Sequence, residues 1–199
     1  YTHGAGSTAA GSGLLSFNGG TQTISGNWTS TCFVQMLTGI LDGTGNLTTN
    51  GPFSWASGTV TGIGNITIGP AGKLALTTTS SHTLSRPIIN NGNLHYLNGQ
   101  LTVVGTTITN NAGATFAVLP SATITVAGGI NTVNNAGLFK KMGPDTITFD
   151  SALGGVRMNN TGTIDVRNGT LNLNGPITQM SGTNLTGGIW QILPTGTLG

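Results

Sequence analysis

A short amide–glycine phrase returns through the middle of the chain at an interval that few folds accommodate. It stands at Asn90-Asn91-Gly92, Asn110-Asn111-Ala112-Gly113, Asn134-Asn135-Ala136-Gly137 and Asn159-Asn160-Thr161-Gly162. Pro70-Ala71-Gly72 opens the series, and Pro194-Thr195-Gly196 echoes it. From glycine to glycine, the steps between Gly72 and Gly162 are 20, 21, 24 and 25 residues. A fixed period of this size marks a repeat architecture, in which each unit buries its apolar side only against its neighbours.

Most of these glycines are followed by short segments that alternate apolar and polar residues. Leu74-Ala75-Leu76, Leu101-Thr102-Val103, Ile124-Thr125-Val126, Ile147-Thr148-Phe149, Ile164-Asp165-Val166 and Leu171-Asn172-Leu173 all show the pattern. Period two is the signature of a half-buried strand. The composition agrees. Of 199 residues 34 are glycine and only 5% are charged, so helix formers are scarce. Thr, Val and Ile suit strands, and Gly with Asn suits tight turns. A propeller blade needs roughly 40 residues, and a leucine-rich repeat needs a denser leucine pattern. The fold class expected is therefore all-β: a right-handed parallel β-helix, or β-solenoid, with roughly 20–25 residues per coil. About nine coils stacked about 4.8 Å apart make a rod about 40–45 Å long. The competing reading of a Gly/Ser/Thr/Asn-rich chain is disorder. Regular alternation together with Trp28, Trp55, Trp190 and six Phe argues against it.

In such a stack the recurrent asparagines fall at one corner. Asn90, Asn110, Asn134 and Asn159 are expected to form an amide ladder that satisfies turn backbone. The domain expected is single and spans 14–199, with a capping segment around 30–40, where Thr31 to Leu37 lacks glycine and alternates poorly. Tyr1 to Gly13 reads as an extended arm or linker.

The surface chemistry restricts partners. Six basic and four acidic residues give a formal net charge of +2, and the basic residues are scattered. That pattern excludes a nucleic-acid footprint and a polybasic membrane patch. No apolar run reaches the roughly 20 residues of a membrane helix. So little charge gives weak colloidal repulsion and fits a protein that works assembled. Cys32 is the single cysteine, read as a buried small side chain, with an intermolecular disulfide as the alternative.

Candidate chemistry is sparse. Glycoside hydrolysis uses two facing carboxylates. The chain has Asp42, Asp145, Asp150 and Asp165, and stacking would have to carry Asp165 to Asp145 or Asp150. His3, His82 and His95 lack metal-ligand spacing. No catalytic, cofactor-binding or metal residue is assigned.

Two stretches carry a resemblance. One runs from Gly45-Asn46-Leu47-Thr48 to Phe53-Ser54-Trp55-Ala56-Ser57-Gly58-Thr59-Val60. The other comprises Val133 to Lys141, Met158 to Val166 and Asn168-Gly169-Thr170-Leu171-Asn172-Leu173. Together they resemble the β-strand repeats of large bacterial surface proteins of the filamentous haemagglutinin and autotransporter-passenger kind. The resemblance implies an extracellular β-helix that acts as an adhesin, sheath or stalk. The expected function is a structural building block of a surface fibre, sheath or matrix that self-associates. The alternative is an adhesin recognising glycans through protruding loops such as Gly143–Val156. A β-helical carbohydrate-active enzyme ranks third.

Overall fold

The computed structural model describes residues 1–119 and 122–199. The chain winds as a parallel β-solenoid of about 9 turns. Each coil contributes strands to three walls. Two of the walls are joined in one 17-stranded sheet, and the third is a separate 8-stranded sheet. Among the described residues the one antiparallel pair is Met180–Ser181 with Asn184–Leu185. Among the described residues the one helical element is a 3-10 turn at Ala152–Gly154.

The register explains why the alternation was visible in the sequence. On the first wall Val34, Phe53, Leu74, Leu94, Phe116, Phe139, Ile164 and Trp190 stand directly over one another. The step grows from 19 residues (Val34 to Phe53) to 26 (Ile164 to Trp190). The growth falls at corners. Asn90 and Leu94 are four residues apart, whereas the equivalent Asn110 and Phe116 are six apart. The walls stay in register while the turns absorb the insertions.

Alternate side chains point inward and stack in columns. Phe116, Phe139 and Phe149 meet edge to face at 5.1 and 5.9 Å, and all are buried. Such contacts add to plain area burial. At the corner between the first and second walls, long side chains lay an apolar stem in the core and end on a turn carbonyl. Trp55 Nε1 donates to Ser57 O at 3.0 Å, Tyr96 OH to Gly99 O at 2.7 Å, and Lys141 Nζ to Gly143 O and Asn168 O. Burial pushes the Tyr96 phenol up to about 12 and pulls the Lys141 amine down. An amphipathic side chain is the economical way to satisfy a buried turn.

Between the second and third walls the early coils approach too closely at one position for a side chain. A Cβ on Gly45 would lie 2.0 Å from Gly26 O, and one on Gly64 would lie 2.0 Å from Gly45 O. Arg86 braces this corner. Leu41, Val60 and Leu84 mark three successive coils, so Arg86 lies two coils beyond Gly43. Its Nη2 donates to Gly43 O at 2.6 Å and to Gly45 O at 3.2 Å.

Two expectations about organisation differ from the structure. Tyr1 to Gly13 is not a free arm. Thr2–His3 pairs in parallel with Thr23 and Ile24, and Thr8–Ala9 pairs with Thr29 and Ser30. The segment is a partial first coil, and the His3 ring stacks on Trp28 at 4.5 Å and 22°. Its Gly, Ala and Ser hide the strand pattern because the pairing comes from the following coil. The segment around 30–40 is not a cap. Phe33–Asp42 is one long strand that turns from the first wall to the second, with Gly39 at φ 102° near the bend.

Phe139→Ala removes the middle ring of the aromatic stack. It should lower the unfolding free energy by about 3–5 kcal/mol, read as a shift of the urea midpoint with an unchanged slope.

Candidate functional site

The most organised polar feature is the corner between the third and first walls. Asn90, Asn110, Asn135 and Asn160 are stacked there with at most 1% exposure. Asn90 Nδ2 donates to Asn110 Oδ1 at 2.7 Å, Asn110 Nδ2 to Asn135 Oδ1 at 2.7 Å, and Asn135 Nδ2 to Asn160 Oδ1 at 2.8 Å. Each amide also donates to a first-wall carbonyl one coil on: Asn90 to Thr115 O, Asn110 to Leu138 O, Asn135 to Thr163 O and Asn160 to Ile189 O. Asn90 Oδ1 also accepts Gly92 N–H. A buried amide is costly without partners, and here the donors are satisfied.

The same column holds Ser30, Thr49 and Ile68 in the earlier coils. Ser30 Oγ and Thr49 Oγ1 each donate to a carbonyl two residues on, Cys32 O and Gly51 O. A hydroxyl serves one turn within its own coil. An amide serves two coils at once.

The expected ladder of Asn90, Asn110, Asn134 and Asn159 is divided between two rows. Asn90 and Asn110 belong to the buried row. Asn134 stands opposite Thr109 and Asn159, on the outer side of the third wall. There Asn159 Nδ2 donates to Asn134 Oδ1 at 3.0 Å, and Gln179 Nε2 donates to Asn159 Oδ1 at 2.6 Å. Glycine alignment causes the slip, because the turn after Asn110 is two residues longer than its neighbours. Counting back from the next inward residue places the column. Asn90 precedes Leu94, Asn135 precedes Phe139 and Asn160 precedes Ile164 by four residues each.

The titratable groups are dispersed. Asp165 lies on the first wall between Lys140 and Gln191, is 2% exposed, and accepts from Arg167 Nε at 2.7 Å. Asp150 ends a second-wall strand and accepts from Ala152 N and Val126 N. Asp145 is exposed in the preceding turn. Neither is brought opposite Asp165. His82 is fully buried, with Nε2 3.0 Å from Trp55 O and its ring edge-on to Trp55 at 5.0 Å. Among the described residues no group of three or more His, Cys, Asp or Glu is placed to hold a metal ion. Cys32 is buried, 3.6 Å from Ser30 Oγ. In the Gly143–Val156 region Thr146–Phe149 is a second-wall strand, and exposed turns flank it, with Asp145 on one side and Leu153, 69% exposed, on the other. No family model, curated protein or solved structure matches the chain.

Asn110→Ala cuts the buried row in its middle and strands groups on both sides, each worth about 1–3 kcal/mol. It should cost at least about 2 kcal/mol, against less than about 1 kcal/mol for the outer-row Asn134→Ala. Equal losses in chemical denaturation would contradict the assignment of the buried row.

The buried histidine sets an acid limit. Burial holds the His82 imidazole below its ordinary 6.5, with the Trp55 carbonyl opposing the shift. Below about pH 6.5 the unfolded chain therefore binds more protons than the folded one. Stability should fall as pH drops from there and level off once His82 also protonates in the fold. His3 and His95 are likewise depressed by burial and act with the same sign. His82→Leu, which extends the inward column of Leu101 and Ile124, should flatten this slope in a pH series of urea titrations.

Proposed function

We propose that the chain is a structural building block of an extracellular fibre, sheath or matrix, and that it self-associates. One observation carries the reading. Parallel ladders stack coil on coil along one axis, from the pairing of Leu14–Ile24 with Phe33–Asp42 to that of Thr163–Val166 with Ile189–Ile192.

The surface chemistry supports the same role. Stacked backbone ladders along the rod axis give stiffness along that axis. Exposed positions rich in Thr and Asn, with few charges, set up little repulsion between copies. Carboxylates held at separate places support a mechanical rather than a catalytic use. The resemblance to large bacterial surface proteins points to the cell exterior.

Sedimentation and electron microscopy over a range of concentrations test the proposal. Linear assemblies that grow with concentration are expected. A monodisperse monomer at every concentration would overturn it.

A further inference from the structure

We propose that the outer surface of the first wall binds an acidic polysaccharide, with a uronate ring seated against Phe33 and Pro52 and its carboxylate facing Lys73. The seat is a groove of about 240 Å³ lined by Phe33, Pro52, Ser54, Lys73, Ala75 and Leu97. The outward column of this wall reads Gln35, Ser54, Ala75, His95, Ala117 and Lys140. Ser54 and Ala75 are short and lie between the longer Gln35 and His95, so the wall dips there. Phe33 forms one flank, is 40% exposed, and continues a ridge from Leu14. Thr77 and Leu97 form the other, and the Ser54 and Thr77 hydroxyls pair at 3.0 Å.

Charge selects the class of ligand. Lys73 and Lys140 lie on this wall, and the column from Gln35 to Lys140 contains no carboxylate. Asp165, next along it, is engaged by Arg167. Lys73 and Lys140 lie on strands three coils apart, about 14 Å, so positive charges recur sparsely along the axis rather than forming a cluster. A linear polyanion with sparse charge, lying parallel to the rod, matches that spacing. A pyranose offers a flat C–H face for the apolar floor and a rim of hydroxyls that stays in water at the open side. Nucleic acid demands denser positive charge, and a protein partner demands a larger apolar area than one groove gives.

The groove uses only outward side chains of the first wall, so the binding does not rest on the self-association proposed above. Affinity electrophoresis and titration calorimetry with polygalacturonate, with a neutral galactan of matched length and a single-stranded oligonucleotide as controls, test it. Retention by polygalacturonate that weakens with added salt is expected. Phe33→Ala and Lys73→Gln should each weaken it about tenfold, with melting temperature unchanged because both side chains are exposed. Loss of retention on Lys73→Glu gives a second check through charge alone. No retention by polygalacturonate, equal retention by galactan or the oligonucleotide, or affinity unaffected by the substitutions would overturn the proposal.

Discussion

Parallel pairing between a segment and its equivalent one coil later is the interaction on which everything else rests. It fixes a spacing of about 4.8 Å, and that spacing then dictates which side chains can stack. Apolar columns form because the inward positions coincide coil after coil. The amide row forms because the distance between coils lets one carboxamide reach the next. The glycine column Gly26, Gly45, Gly64 exists because the same distance leaves no room for a Cβ where the turns touch. The core, the ladder and the close corner are three results of one repeat distance.

Polar groups inside the rod are handled at the corners. Backbone carbonyls that leave the ladders at a turn need donors, and the chain supplies them from within: asparagine at one corner, Trp55, Tyr96 and Lys141 at another, Arg86 at the third. This division explains how a chain with so few charged residues can bury Arg86 and Lys141. Each one serves as a donor to turn backbone, and its stem fills core volume. Hydroxyls at Ser30 and Thr49 show the simpler solution in shorter coils, where one turn needs one partner.

The architecture was legible because its two periods, the alternation along a strand and the return of Asn and Gly, are written directly in the residues. What was less legible depended on turn length. Asn134 and Asn135 are chemically identical in the sequence, and only the two extra residues between Asn110 and Phe116 decide which of them joins the buried row. The opening Gly/Ala/Ser segment carries no pattern of its own, since Thr2–His3 and Thr8–Ala9 gain strand structure from the coil they lie on. Asp165 could be placed near Asp145 or Asp150 by count, but register sets it between Lys140 and Gln191. The groove beside Phe33 depends on short side chains in adjacent coils, a relation that linear sequence does not display.

In a rod where each coil touches only its two neighbours, fraying from one end should proceed one layer at a time. The Arg86 guanidinium breaks that locality. By gripping carbonyls two layers away it makes three consecutive coils share a single fate, so a fray arriving from either side must open them together. The layers from Gly43 to Arg86 thus act as a clamp, and resistance to mechanical unzipping should be greatest there rather than where the core is widest.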